Sequence, residues 1–274
     1  MGITTVLNVF KRPSALVRQY EAIKAQTVPS SEILIWINRT DDDAINADVA
    51  ELAASLAEED PAVRVALNSH NYGVWSRFAF ALNATNEYVC VFDDDTFPGA
   101  RWYDNCLSQH AEAPGLYGTI GLLFLGTDYK KHARLGWATC IQGQRSLDER
   151  VEVDIVGHAW FFARELLSVF WRELPPPLAT RRVGEDMHFS HMVQKYSGLK
   201  TYVPPHPLDQ PELWGSTDPY AFGADDNALW RTPAGDEMCR FLERCLHRGY
   251  SPLGIANPQY TASLLHKYFQ RPTP

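Results

Sequence analysis

The sequence has 274 residues, of which 45% are hydrophobic and 21% charged, and these proportions are those of ordinary folded domains. They exclude a disordered or low-complexity chain. The formal net charge of −8 argues against nucleic acid as the main partner, because binding to a phosphate backbone needs a basic face. An anionic small molecule would need either a few local arginines or a bridging cation.

The first half of the chain alternates apolar strand patterns with helix patterns. The predicted strands are Ile3–Phe10, Ile33–Ile37, Val63–Leu67 and Tyr88–Phe92. The predicted helices run from Arg12 to about Gln26, from Ala44 to Ala57 and from Trp75 to Leu82. Continuous apolar strands that alternate with helices are typical of a parallel sheet covered on both faces, so we expect a doubly wound α/β fold.

The second half is less regular. Its predicted strands are Leu116–Leu125, Val151–Val156 and Thr201–Val203, and its predicted helices are Ala163–Phe170, Glu185–Tyr196 and Asp236–His247. Prolines interrupt any regular element between Pro204 and Pro219. Because no repeat and no linker-like segment separates the halves, we expect one domain with a mixed second half.

The sequence contains neither an apolar run of about 18 residues nor a basic segment followed by a long apolar one. We therefore expect no membrane span, no signal peptide and a cytoplasmic location. The five cysteines include no Cys-x-x-Cys pair, which favours reduced, mostly buried thiols over a zinc site or a disulfide framework.

Two runs of three aspartates differ in their position relative to the predicted strands. Asp93-Asp94-Asp95 directly follows an apolar strand, at the edge of the sheet where ligands bind in open α/β folds. Crowded carboxylates repel one another unless a hard cation such as Mg²⁺ or Mn²⁺ relieves them, so we expect a metal site there. Asp41-Asp42-Asp43 precedes a predicted helix, and we expect this run to cap it.

A haloacid-dehalogenase-type phosphatase would also place aspartates after an apolar strand, with Asp93 as the nucleophile. That signature expects Thr or Val two residues beyond the second aspartate, where this sequence has Phe97, and it normally lies on the first strand. The sequence has no P-loop, no dinucleotide-binding fingerprint and no Gly-x-Ser-x-Gly. A non-catalytic carbohydrate-binding protein is a further alternative.

Asp93-Asp94-Asp95 resembles the Asp-x-Asp motif of GT-A glycosyltransferases, and the order of motifs from about Thr5 to Arg231 resembles the exostosin-like glycosyltransferases in particular. The other motifs that carry this resemblance are Phe10-Lys11-Arg12, Ile35-Trp36-Ile37-Asn38, Asn71 through Arg77, Gly157 through Phe162, Gly184-Glu185-Asp186 and Ala228-Leu229-Trp230-Arg231. The resemblance implies a single GT-A domain over residues 1–274, with a nucleotide-binding half, 1–97, and an acceptor-binding half, 98–274.

The resemblance also implies a reaction. A hexosyl or N-acetylhexosaminyl group would move from a nucleotide sugar, expected to be a UDP-sugar held with Mn²⁺ or Mg²⁺, to a glycan or glycolipid hydroxyl with retention of configuration. The implied roles are nucleotide contacts by Arg12, Asn38, Asn71 and Arg77, ribose contact by Asp93 or Asp94, metal binding by Asp95, diphosphate contact by Arg231, and a place beside the reacting sugar for Asp186 with its neighbour Glu185.

Several roles stay open at this point. Many GT-A enzymes use a late histidine as a further metal ligand, so His206 is either that ligand or a loop histidine without a metal role. Asp186 would be the general base of an inverting enzyme or would orient the reacting centre of a retaining one, unless it merely favours a helix N-terminus. One or two of four tryptophans, Trp137, Trp160, Trp214 and Trp230, would stack on sugars. The chain would be a cytosolic enzyme or a module of a larger polysaccharide-synthesis protein.

Overall fold

The computed structural model describes residues 2–136, 146–174, 182–218 and 234–269, and a nine-stranded sheet runs through this part of the chain. The strands follow the order β3-β2-β1-β4-β8-β5-β9-β7, and β6 pairs with β5. They are β1 (Ile3–Val9), β2 (Glu32–Ile37), β3 (Val63–Leu67), β4 (Tyr88–Phe92), β5 (Gly115–Phe124), β6 (His132–Gly136), β7 (Val151–Glu152), β8 (Ile155–Ala163) and β9 (Lys200–Val203).

The first four strands are parallel, and their neighbours on the other side of β4 are mixed in direction. Strand β1 pairs in parallel with β2 and β4, and β2 pairs in parallel with β3. Strand β8 then runs antiparallel to both β4 and β5. This is the mostly parallel α/β architecture with a mixed second half that the sequence predicts, and the prediction of fold class is confirmed.

Helices cover the two faces of the sheet. They are α1 (Pro13–Lys24), α2 (Asp43–Glu59), α3 (Ser76–Phe80), α4 (Trp102–Glu112), α5 (Leu166–Phe170), α6 (Glu185–Ser197), α7 (Ala234–His247), α8 (Leu253–Ala256) and α9 (Pro258–Phe269). Short 3-10 turns occupy Ala81–Asn83 and Pro211–Leu213. Among the described residues, no helix is long and apolar enough to cross a bilayer.

Alternate residues of the central strands enter two separate cores. On β2, Ile33 and Ile35 pack with Leu16 of α1 and Val49 of α2, whereas Leu34 belongs to the core on the opposite face. Side chains of a strand point to opposite faces in turn, so a strand buried on both sides needs an unbroken apolar run. This is why the sequence pattern of the first half predicts its strands well.

The second half differs from the prediction in one respect that affects the site. The expected strand Val151–Val156 is split into β7 and the start of β8, and β8 continues to Ala163, into the expected helix Ala163–Phe170. That helix begins only at Leu166. The pair Gly157-His158 interrupts the apolar pattern of β8, so the sequence did not show that the strand continues to Ala163.

The first aspartate run caps a helix as predicted. Asp42 is the N-cap of α2, and its carboxylate accepts hydrogen bonds from the backbone N–H groups of Ala44 at 2.9 Å and Ile45 at 3.3 Å. These bonds satisfy donors that a helix start leaves open.

We predict that Asp42→Ala lowers the free energy of unfolding by about 1 kcal/mol, the usual value of an N-cap side chain. The matched control is Asp41→Ala, which removes an exposed neighbouring carboxylate and should change stability by less than about 0.5 kcal/mol. Urea titration of both variants measures the difference. Equal losses would show that general charge, and not the cap, stabilises this helix.

Candidate active site

The candidate site lies where the sheet changes from parallel to antiparallel pairing. Asp93 follows the last residue of β4, and because Phe92 pairs with Ala159, the antiparallel strand β8 brings His158 opposite Asp93. The backbone N–H of Asp93 donates to the carbonyl of His158 at 2.9 Å. From α1, the side-chain amide of Gln19 donates to the carbonyl of Thr96 at 2.9 Å and also to that of Asp93, which fixes the acidic turn against the helix.

Three side chains at this point could hold a metal ion. One ligand atom from each of Asp93, Asp95 and His158 lies within 4.8 Å of the others. The Nδ1 atom of His158 is 3.9 Å from a carboxylate oxygen of Asp93 and 3.7 Å from one of Asp95. His158 has φ of 66°, a left-handed conformation that is uncommon outside glycine and that occurs at functional sites. Two carboxylates and one imidazole form a donor set that fits a divalent cation such as Mn²⁺.

The other expected histidine ligand lies elsewhere. His206 is completely buried, and burial lowers its pKa to about 4. Its Nδ1 is 2.8 Å from the carbonyl of Pro204, and its Nε2 is 3.3 Å from the hydroxyl of Thr119 and 3.4 Å from the amide nitrogen of Gly215. The ring of His206 packs in the core, which favours the alternative without a metal role, and His158 is the histidine beside the carboxylates.

The middle carboxylate of the acidic run has an arginine partner. The guanidinium of Arg12, in the turn before α1, forms an ion pair with Asp94 and lies 3.7 Å from an oxygen of Asp95. Burial raises the pKa of Asp94 to about 7, and the charge of Arg12 opposes that shift. Arg12 is partly exposed and Asp94 is buried beside it, at the edge of the sheet where the sequence predicts a nucleotide site.

The two expected asparagines have different surroundings. The carbonyl oxygen of buried Asn38 accepts from the indole of Trp36 at 3.0 Å and from the backbone N–H of Tyr72 at 3.1 Å. Asn71 is exposed, and its side chain accepts from the N–H of Gly73 at 2.8 Å. Asn38 thus holds the loop that presents Asn71, whereas Asn71 itself faces solvent.

The side chain of Arg77 is enclosed by protein. Its side chain is 2% exposed, and its guanidinium lies 4.5 Å from the ring centroid of Trp160. One terminal nitrogen pairs with Asp93, and the other lies 2.7 Å from an oxygen of Glu185. The expected direct contact of Arg77 with the nucleotide stays a prediction, and in this structure both terminal nitrogens of Arg77 are engaged by protein carboxylates.

The acidic pair at the start of α6 completes the described site. Gly184, with φ of 92°, precedes the helix, and its backbone leaves Glu185 buried and Asp186 partly exposed. Burial raises the pKa of Asp186 to about 6, while the N–H of Met187, which donates to its carboxylate at 2.7 Å, opposes the shift. Burial also raises the pKa of Glu185, and the charge of Arg77 opposes that shift.

Some expected residues lie outside the site or outside the described residues. Arg231, Trp137 and Trp230 fall in the part of the chain that the structure does not describe. Trp160 and Trp214 are buried, so neither presents a face to a sugar. The sequence analysis did not identify His158 as a metal ligand. The available signal was a polar histidine between the apolar residues Ile155–Val156 and Ala159–Phe162, but the strand that pairs with this segment, β4, is remote in sequence.

A comparison with protein-family models matches residues 4–171, more than half of the chain, to glycosyl transferase family 2. The chain belongs to glycosyl transferase family 2. The match does not show membership in the exostosin-like group, and it favours a glycosyltransferase over a dehalogenase-type phosphatase. A comparison with curated proteins gives no match.

Solved structures of S. aureus TarS share the fold of this family 2 chain. S. aureus TarS 1-349 in complex with UDP-GlcNAc is 12% identical with a TM-score of 0.50, and the alignment covers 74% of this chain and 56% of that one. A further structure of S. aureus TarS is 13% identical with a TM-score of 0.53, and the alignment covers 92% of this chain and 44% of that one. The mannosyltransferase PcManGT from Pyrobaculum calidifontis, in complex with GDP-Man and Mn²⁺, is 17% identical with a TM-score of 0.49. That alignment covers 97% of this chain and 81% of the mannosyltransferase chain. The chain thus spans less than two thirds of the TarS chain in the complex.

We predict that Gly184→Ala destabilises the start of α6 more than Gly198→Ala destabilises its end. Both glycines have positive φ, 92° and 67°, which costs an alanine about 1–2 kcal/mol. A Cβ at residue 184 would also lie 2.7 Å from the ring of Phe241, whereas a Cβ at residue 198 meets nothing within 4 Å. Thermal unfolding of the two variants compares these costs, and equal losses would contradict tight packing at Gly184.

Proposed function

We propose that this family 2 domain transfers a sugar from a nucleotide-sugar donor to a hydroxyl acceptor with the help of a divalent cation. The observation that carries the proposal is the cluster of Asp93, Asp95 and His158 at the carboxyl edge of the sheet. In a chain of this family, a cation-binding cluster at that edge is suited to the diphosphate of a sugar donor. TarS, a structural neighbour, binds UDP-GlcNAc, which makes a UDP-sugar the first donor to test.

The three side chains of the cluster would hold Mn²⁺ or Mg²⁺. When bound there, the cation supplies positive charge for the diphosphate leaving group, on which negative charge grows as the glycosidic bond breaks. Arg12 lies 3.7 Å from Asp95 and adds a fixed positive charge beside the same position. In this proposal exposed Asn71 contacts the nucleotide, and the expected diphosphate contact of Arg231 stays a prediction.

We assign Asp186 as the group that receives the proton of the acceptor hydroxyl. It is partly exposed at the start of α6, next to Glu185, which is bound to Arg77. A carboxylate with a pKa of about 6 is mostly ionised at neutral pH and is a stronger base than an ordinary aspartate. Such a base suits direct displacement with inversion, whereas the exostosin-like resemblance implies retention, with Asp186 orienting the reacting centre. The anomeric configuration of the product, read by NMR, decides between these outcomes.

The two halves of the chain then have separate tasks in this proposal. Residues 1–97 bind the nucleotide, and residues 98–274, which carry Asp186, bind the acceptor, a glycan or glycolipid. The transferred group would be a hexose or an N-acetylhexosamine. A module within a larger polysaccharide-synthesis protein fits the same assignment.

A screen of UDP- and GDP-sugars, with Mn²⁺ and with a chelator, tests the function. We expect one donor to raise the unfolding temperature only with the cation, with stabilisation of about 2.7 kcal/mol at a hundredfold excess over its dissociation constant. We also expect donor hydrolysis or transfer, which Asp95→Ala should abolish. Failure of every donor to bind with any divalent cation would contradict the proposal, and binding without turnover on broad acceptor panels would indicate a non-catalytic carbohydrate-binding protein.

Two histidine variants test the composition of the metal site. His158→Asn should weaken Mn²⁺ binding by about tenfold or more, because a ligand worth about 1.4 kcal/mol is lost. His206→Asn should leave Mn²⁺ affinity within about twofold and lower the unfolding temperature instead, because it disturbs buried hydrogen bonds. Mn²⁺ titration followed by electron paramagnetic resonance measures both. The opposite pattern would restore His206 as the ligand.

The base assignment predicts a pH dependence. Because Asp186 must be ionised to accept a proton and its pKa is raised to about 6, kcat/KM should be constant above about pH 7 and fall roughly tenfold per pH unit below about pH 6. Asp186→Asn should reduce kcat by at least about a hundredfold and abolish the acidic limb of residual activity. A pH profile of the variant that keeps the same acidic limb would contradict the role of Asp186.

A further inference from the structure

Arg77 connects two carboxylates that the proposed function places on different sides of the reaction. Asp93 belongs to the metal-binding cluster after β4, and Glu185 begins α6, one residue before Asp186. One guanidinium binds both, through separate terminal nitrogens, at the end of a side chain that is 2% exposed. The planar guanidinium presents its donors in a fixed fork, so two carboxylates bound to it also have a fixed separation.

The surroundings of Arg77 leave it little freedom. Its guanidinium stacks 4.5 Å from the ring centroid of Trp160 on β8 and lies 5.5 Å from that of Phe78 on α3. Burial lowers the pKa of Arg77, but the carboxylates of Asp93 and Glu185 outweigh that effect, so the pKa is raised and the charge is kept. A charged, fully enclosed side chain with two carboxylate partners is expensive to build, and a substrate cannot reach it.

We propose that Arg77 is a positioning residue that sets the distance between the cation site and the carboxylate of Asp186. Through Asp93 it orients a metal ligand, and through Glu185 it fixes the first turn of the helix that carries Asp186. The inference rests on the proposed function. It assigns Arg77 no contact with substrate, in contrast to a nucleotide-binding arginine, and it makes Glu185 a partner of Arg77 and not a second acid or base.

The first test measures Mn²⁺ binding, which needs no turnover. Arg77→Met removes the fork at similar volume and should weaken Mn²⁺ binding by about tenfold or more, as loss of groups that orient metal ligands does. Arg77→Lys keeps the charge but not the fork and should give an intermediate loss. The control is Arg64→Met, which takes an arginine from buried Glu32 at the other end of the sheet and should leave Mn²⁺ affinity unchanged. Tighter Mn²⁺ binding by Arg77→Met would show that Arg77 acts by repulsion alone and would overturn the proposal.

The second test is a double-mutant cycle on transfer. Arg77→Met and Glu185→Leu should each lower kcat by about a hundredfold, the cost of misplacing reacting groups by about 1 Å, with the donor KM changed less than about threefold. Because both act through one bridge, the double variant should be no more than about twofold slower than the slower single variant. Multiplicative losses, or a loss confined to donor KM, would overturn the proposal.

Circular dichroism and thermal unfolding show whether each variant folds, and Arg77→Lys, which keeps the buried charge balanced, carries the test if Arg77→Met does not fold. The two proposals fail in different ways. A wild-type protein that binds Mn²⁺ but transfers no sugar contradicts the proposed function, whereas an active wild type with Mn²⁺ affinity unaltered in both Arg77 variants contradicts the bridge.

Discussion

The site depends on how one small volume accommodates several carboxylates. Within the described residues, five acidic side chains come together from β4 and α6, namely Asp93, Asp94, Asp95, Glu185 and Asp186. Burying charges of one sign costs several kcal/mol for each unless partners compensate them. Arg12 and Arg77 each contact two of the five carboxylates, so negative charge remains in excess around the cation cluster.

This excess changes the meaning of the chain's acidity. A net charge of −8 would repel a diphosphate if the charge were spread evenly over the surface. Here part of it is concentrated where Asp93 and Asp95 face His158, and a divalent cation held there would present positive charge to the ligand. The acidic composition that argues against nucleic acid as the main partner is therefore compatible with a nucleotide sugar.

The sequence predicted the parallel half of the fold because β2 and β4 contain unbroken apolar runs, a pattern that burial on both faces imposes. It also located the acidic turn, since three aspartates after such a strand have no simple structural explanation. It failed where the answer depended on pairing between remote segments. His158 reaches Asp93 only because β8 runs antiparallel to β4, and no local pattern encodes that register. His206 lies in a proline-rich loop that was a candidate for presenting a metal ligand, but its ring packs against Trp102 in the core.

Local motifs also identify residues without giving the direction of their side chains. Asn71 and Arg77 of one segment were both expected to bind the nucleotide, yet only the first two residues of that segment, Asn71 and Tyr72, are exposed. Farther along, the indole of Trp75 donates to the carbonyl of Val183 at 3.1 Å, just before the turn into α6. Arg77 binds Glu185 at the first residue of that helix. The direction of the Arg77 side chain depends on how the short helix α3 is oriented about its axis, and the spacing of residues in the sequence does not specify that orientation.

The same segment explains how two parts of the chain form one site. The family match ends at residue 171, before α6, so Asp186 lies beyond the region that defines family membership. Position 186 is nevertheless fixed by α3, which lies inside that region, through the contacts of Trp75 and Arg77. In the proposed function, a carboxylate attached in this way is kept in register with the cation cluster partly by residues of the nucleotide-binding half, while Phe241 packs against the start of the same helix. If the proposed function holds, the region that defines the family thus helps to set the geometry of the reaction, and the segment after residue 171 would add the carboxylate of Asp186 and contacts to the acceptor.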